Sequence, residues 1–264
     1  MENVGYIRLG CFVGIFVIMA LWEVLAPKRK LTTSKSMRWF SNLSITILNT
    51  VLLRWIFPVL AIGMAYVAEE KGLGVLNRIE IPEIMSVLIA VLVLDFIIYG
   101  QHYAFHVLYH PWKLHMMHHT DMDLDVTSGA RFHPIEILLS MCIKVSVVMI
   151  IGAPPLAVLT FEVLLNATAM FNHSNVNIPA AVDRILRLFV VTPDMHRVHH
   201  SVIINETNSN FGFNFPWWDR IFGTYHEQPV KGHFDMKIGL ANFRNPEELG
   251  FLRLLAIPFQ GRER

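Results

Sequence analysis

The sequence predicts an all-α integral membrane protein with about four membrane-embedded helical segments, the last a helical hairpin, and a cytoplasmic histidine-rich helical cap. Three observations carry that prediction. Hydrophobic residues make up 53% of the 264-residue chain and charged residues only 16%, against roughly 25% charged in an average soluble domain, and mean hydropathy is +0.44. Apolar stretches recur at the length needed to cross a bilayer core, about twenty residues. Eight of the thirteen histidines fall into one HxxxH and two HxxHH boxes.

The first expected span is residues 4–25, apolar apart from Arg8 and Glu23. Its run is too long for a signal-peptide core and no small-residue cleavage motif follows, so an uncleaved helix is expected. Residues 43–67 form the second span. Within it Arg54 and Pro58 predict a buried polar contact or a kink. Residues 84–99 form the third, expected to continue as the helix bearing His102 and His106. The fourth stretch, 135–169, is too long for one span, and Gly152-Ala153-Pro154-Pro155 near its middle stops a helix. It therefore reads as a hairpin whose two ends return to one side, with His133 before it and His173 after it. From residue 179 onward the chain is mixed and polar. Residues 183–191 read as a short amphipathic helix. The aromatic-rich segment 211–218 reads as either a domain core or an interfacial lip.

Loop charge sets the expected orientation. Lys28, Arg29, Lys30, Lys35 and Arg38 lie between the first two spans, and such basic loops stay in the cytoplasm. All three boxes then face the cytoplasm. A net charge of +1 carries no polyanion-binding signal, so no nucleic-acid partner is expected. There is no Gly-rich phosphate loop. Cys11 and Cys142 both lie in apolar stretches and read as small apolar residues, not as a disulfide framework.

The boxes are His102/His106, His115/His118/His119 and His196/His199/His200. Residues three and four apart share a helix face, so each box points two or three imidazoles one way, and imidazole suits iron, zinc and copper. Three imidazoles at i, i+3 and i+4 fan over about 100° of helix surface, so one box can supply two metals. Eight imidazoles exceed the four closed ligands of a structural zinc. The Glu-x-x-His pattern of carboxylate di-iron bundles is absent.

These boxes, together with the segments Arg131-Phe132-His133-Pro134-Ile135-Glu136, Asn172-His173-Ser174-Asn175 and Trp218-Asp219-Arg220-Ile221-Phe222-Gly223-Thr224-Tyr225, resemble the fatty acid hydroxylase superfamily. That group includes sterol desaturases, sterol methyl oxidases and alkylglycerol monooxygenase, and the resemblance covers residues 95–225. Membrane acyl desaturases share similar boxes but usually separate the first two by a long stretch. Here only eight residues separate His106 from His115.

What the resemblance implies is a cytoplasm-facing centre of two iron ions that uses O2 to oxidise an aliphatic C–H bond of a membrane lipid, by hydroxylation or by desaturation. Zinc is the metal that could replace iron in purified protein. Electrons are expected from a separate donor protein or a small reductant, since no cytochrome b5-like domain is fused. The expected ligands are His102, His106, His115, His118, His119, His173, His196, His199 and His200. His133 is counted with them, its other reading being a cap for the helix that starts near Pro134. Some relatives carry a further histidine four residues before the position of His173, where Ala169 stands here. The glutamate that follows the first box in ether-lipid monooxygenases is Val107. Asp95 and Asp194 are candidate acceptors for ligand N–H groups. Arg131, Arg197 and Lys113 are candidates to hold a lipid headgroup or dock an acidic electron donor, or are plain solvated charges. The expected organisation is an N-terminal transmembrane region (1–95), a di-metal catalytic region (96–226) containing the membrane hairpin 135–169, and a C-terminal cytoplasmic tail (227–264). The setting is a bacterial inner membrane or the endoplasmic reticulum. A metal transporter is the reading from another class, and the boxes lying beyond the span ends oppose it.

Overall fold

The computed structural model of the chain describes residues 2–57 and 59–261. It is all-helical; among these residues there are no strands, only isolated bridges at Pro27–Val176 and Ser201–Ile238. Among the described residues five segments are long and apolar enough to cross a membrane, and the protein is a multi-pass membrane protein. Helix α1 (Glu2–Leu25) turns Leu9, Ile18, Leu21 and Val24 outward, as a helix facing lipid does. Its inner side packs on a later helix. Glu23, buried, accepts from the backbone N–H of Val126 and of Asn175 at 2.7 and 2.8 Å, so the end of α1 is tied to two loops of the histidine-bearing region.

The second expected span is two helices, α2 (Lys35–Ile56) and α3 (Ala61–Glu70). Pro58, expected to cause a kink, lies outside the described residues, and the break spans its neighbours. Arg54 is exposed and makes no buried polar contact. Arg38, read from sequence as loop charge, is wholly buried in α2. Its guanidinium reaches Asp121 at 2.7 and 3.0 Å, Asp125 at 2.7 Å and the Asp123 carbonyl at 2.7 Å. Such a buried cation is tolerable only because it is paired on every side, and the pairing fastens α2 to the loop that follows the second box.

Helix α4 (Glu83–Val107) is the third span and, as expected, carries His102 and His106 at its end. A short α5 (Tyr109–His119) bears the second box. The hairpin follows as α6 (Pro134–Ile151) and α7 (Pro155–Asn172). Gly152 caps α6 in the left-handed region at φ +67°, a conformation open to glycine at no steric cost. Gly74, after α3, abuts this tip: a Cβ on Gly74 would overlap the Gly152 backbone, and one on Gly152 would overlap the Leu73 carbonyl. Ala61, Ala65, Val87, Ala90, Leu94, Val148, Ala157 and Phe161 form the core between α3, α4, α6 and α7. Beyond the hairpin lie α8 (Ala180–Leu186), shorter and earlier than the expected 183–191 helix, and α9 (Pro193–His199) with the third box. Short turns of helix complete the chain at Ile204–Thr207, Trp217–Ile221, Gly232–Asp235 and Phe251–Ala256.

Candidate metal centre

Nine of the ten expected ligands converge, in two groups. His102, His106, His115, His119 and His199 form one; His118, His173, His196 and His200 form the other. In each, the candidate ligand nitrogens all lie within 4.8 Å of one another, and every ring is buried. The split follows from helix geometry. Neighbouring residues lie about 100° apart around an α-helix, so His118 and His119 face different groups, as do His199 and His200.

His133 is the exception. Expected among the ligands, it stands outside both groups, because Pro134 begins α6 and makes His133 the residue before it. There its Nδ1 accepts from the Ile135 N–H at 3.2 Å as an N-cap, and its Nε2 faces the Leu255 carbonyl at 3.3 Å.

The hydrogen bonds decide which ring nitrogens are available. The Nδ1 atoms of His102, His118, His173 and His199 meet the backbone carbonyls of Phe211, Arg131, Ala169 and Ser209 at 2.7, 3.1, 2.8 and 2.7 Å. A carbonyl only accepts, so each Nδ1 carries the proton and each Nε2 presents a lone pair. Burial holds His173 down to about 4 and His118 well below 6.5, with nearby imidazoles adding to the effect on His118. Both are neutral at pH 7. Yet their Nε2 atoms face each other at 3.1 Å, and two lone pairs at that distance repel. The same holds for His102 and His115, whose Nε2 atoms are 3.1 Å apart, with the His115 Nδ1 donating to Glu136 Oε1 at 2.7 Å. A cation between the nitrogens removes the conflict. Two ligands each about 2.1 Å from one ion and at right angles would stand about 3 Å apart, which is the spacing present. The Nε2 of His119 is buried without a hydrogen-bond partner, a further donor turned inward. The donor set therefore fits metal ions.

The acceptors that orient these rings differ from those expected. Asp95 accepts from the Trp218 indole at 2.7 Å, and Asp194 pairs with Lys28 at 2.9 Å and with Arg197. Neither touches a ligand ring. Glu136 does, and its place one turn into a helix behind a His-Pro pair was the signal available. Arg131 and Arg197 are buried, so neither can hold a headgroup or meet a protein. Arg131 spans Thr120 and the Met117 carbonyl and lies 3.7 Å from Asp121, which locks the loop whose own carbonyl orients His118. Gly129 sits against the last turn of α7, where a Cβ would overlap the Ala169 carbonyl that holds His173.

Aromatic rings wall the centre. Phe132 stacks on His118 with centroids 4.5 Å apart, and Phe211 lies 5.1 Å from His106 and 5.6 Å from His199. Phe211 and Phe213, two of the five aromatics in segment 211–218, thus line the candidate site, while Trp217 is exposed and stacks on Phe215. Asp219 fixes the segment by accepting from the N–H groups of Phe211 and Gly212 at 2.8 and 2.9 Å, and burial pushes its carboxyl up to about 6. A cavity of about 300 Å³ reaches His102 and His115 from among α1, α2, α4, α6 and α7, with Phe105, Phe132, Met141 and Phe213 in its lining.

The fatty acid hydroxylase profile matches residues 87–224, just over half of the chain. The chain is 27% identical over 262 residues to the ornithine lipid hydroxylase OlsE of Rhizobium tropici, covering 96% of this chain and 76% of that protein. It is 26% identical over 157 residues to the cholesterol 25-hydroxylase of Mus musculus, covering 57% of this chain and 51% of that protein. Against a cholesterol 25-hydroxylase-like protein of Danio rerio the identity is 25% over 228 residues, with 78% and 83% covered. The chain thus spans about half the length of the mouse protein. No solved structure matches it significantly.

Proposed function

The chain belongs to the fatty acid hydroxylase family and is an oxidoreductase, and from that premise we propose that it hydroxylates an aliphatic C–H bond of a membrane lipid at a centre of two iron ions. The observation that carries the reading is the set of nine buried imidazoles in two groups whose candidate ligand nitrogens lie within 4.8 Å of one another, with an Nε2 pair in each group only 3.1 Å apart. His102, His106, His115, His119 and His199 would hold one ion, and His118, His173, His196 and His200 the other. Zinc binds nitrogen donors as readily but has no redox chemistry, whereas the relatives are named hydroxylases.

Iron bound there supplies the electron transfers that reduce O2. In net terms one oxygen atom enters the C–H bond as a hydroxyl and the other leaves as water, with two electrons and two protons drawn from outside the chain. The donor is a separate protein or a small reductant. The chain's own residues do the rest: backbone carbonyls and Glu136 set the rings, and Phe132, Phe211 and Phe213 exclude water. The cavity brings an aliphatic segment to His102 and His115. The catalytic region is 96–226, preceded by the transmembrane region and followed by the tail. We place the centre on the cytoplasmic face of a bacterial inner membrane or the endoplasmic reticulum, as the basic residues between α1 and α2 indicate. Turnover under labelled O2 tests the reading. A product carrying one labelled oxygen atom supports it, an unlabelled alkene moves it to desaturation, and product formed without O2 overturns it.

A further inference from the structure

The cavity that reaches His102 and His115 is charged at its other end. Arg8 of α1, Lys144 of α6 and Glu162 of α7 line it together. An Arg8 Nη lies 3.2 Å from one Glu162 oxygen and the Lys144 Nζ 3.3 Å from the other. Glu162 stands eleven positions before His173 at the end of α7, and Lys144 eight after Glu136, which holds His115, so the charges lie about 12–16 Å along the helices from the candidate centre.

Two cations share one carboxylate, which leaves one positive charge uncompensated inside the spans. Ionisable groups are costly there and mark ligand or ion paths. A tie between helices needs one cation, not two. Between the two ends, Asn49 is buried, and its amide is oriented by donating to the Phe132 carbonyl at 2.9 Å. Its Oδ1 has no hydrogen-bond partner, nor has the Oε1 of Gln101, and both residues line the cavity. A lining with spare acceptors and a net positive end is built for a polar ligand.

We propose that the cavity binds an amphiphile by a single anionic end group held between Arg8 and Lys144, with its chain laid past Asn49 and Gln101 toward His102 and His115. The carbon presented to the metals is then remote from the charged end. Glu162 holds the two cations side by side and keeps them from over-attracting solvent when the ligand is absent. A sterol offers this end no anion. The anion is the carboxylate of a free fatty acid or that of an acylated amino acid, since both present the same group. The proposal deepens the hydroxylase reading and rests on it for the chemistry, though not for binding.

Binding to purified protein in micelles at pH 8, with and without metal, tests it by displacement of a fluorescent fatty acid. The competitors are palmitate, N-palmitoylglycine, the methyl ester of each, and cholesterol. A hydrogen bond to a charged group outweighs a neutral one enough that at least one acid should bind about tenfold or more tighter than its ester. Whichever acid binds tighter identifies the source of the anion. Lys144→Met and Arg8→Met should each shrink that preference, with metal content as the check on folding. Equal binding of acids and esters to the unaltered protein would overturn the anchor, as would cholesterol competing as well as either acid, or an undiminished preference in both variants. Acid selectivity without incorporation of labelled oxygen would keep the anchor and remove the hydroxylase reading. Oxygenation of cholesterol or of an ester without acid selectivity would do the reverse.

Discussion

Glu136 is a carboxyl side chain that touches a proposed ligand ring, and Glu136→Gln isolates what its charge would contribute beside a bound ion. The carboxylate takes the His115 Nδ1–H at 2.7 Å in a buried setting, whereas His102, His118, His173 and His199 rest on neutral carbonyls. A hydrogen bond to a charged group contributes about 1.5–3 kcal/mol and a neutral one about 0.5–1.5 kcal/mol. The glutamine keeps the acceptor and loses the charge, so about 1–1.5 kcal/mol of support for His115 as a donor should disappear. That is roughly tenfold in metal affinity, at the lower end of the effect of removing a partner behind a ligand histidine. Glu136→Ala removes the acceptor as well and should cost more, on the order of a further tenfold. Competition between each purified variant and a chelator of known affinity, at pH 7.5, reads both numbers. An unchanged affinity in Glu136→Gln, or equal losses in the two variants, would refute the reasoning.

Other consequences follow from the same geometry. His133→Ala should leave metal content unchanged and lower stability by about 1 kcal/mol through loss of the α6 cap, read by elemental analysis beside thermal unfolding; a lost ion would return His133 to the ligand set. The metal-free protein should weaken in acid. Burial holds His173 at about 4, and, with neighbouring imidazoles contributing, keeps His118, His119, His196 and His200 well below 6.5. The unfolded chain takes up these protons near 6.5 and the folded chain does not, so the contribution of these histidines is flat above pH 7 and falls as pH drops from about 6.5 toward 4, against an opposite slope from Asp219, whose raised carboxyl favours the fold in acid. His173 alone accounts for ~3 kcal/mol at the acid end. Unfolding of chelator-treated protein across pH 4–8 measures this, and a stability that rose toward acid would contradict it.

Much of the fold and most of the site were legible because each rests on a local period. Apolar runs marked the spans, the Gly-Ala-Pro-Pro turn marked the hairpin, and imidazoles at helical spacing marked the two groups that the fold brings together. What was not legible depends on which elements meet. The sequence shows that His118 and His119 diverge, but not that one joins His173 and His196 while the other joins His102 and His106. Arg38 and Arg131 read as solvated or ligand-binding charges because their partners, Asp121 and Asp125, are brought to them only by packing, whereas Arg197 pairs with Asp194 three residues before it on the same helix, a spacing the sequence does carry. His133 stands apart from the two histidine groups for a local reason: the proline after it starts a helix, and the imidazole caps that helix. The Arg8–Glu162–Lys144 group brings α1 from the other end of the chain onto the α6–α7 hairpin, so no local spacing announces it.

Metal stoichiometry tests the central claim most directly. Elemental analysis of the purified protein after loading with ferrous iron under anaerobic conditions should find two ions per chain. His199→Ala and His196→Ala, one from each group, should each lower that number. A single ion in the unaltered protein, or two ions retained in both variants, would contradict a two-metal histidine centre.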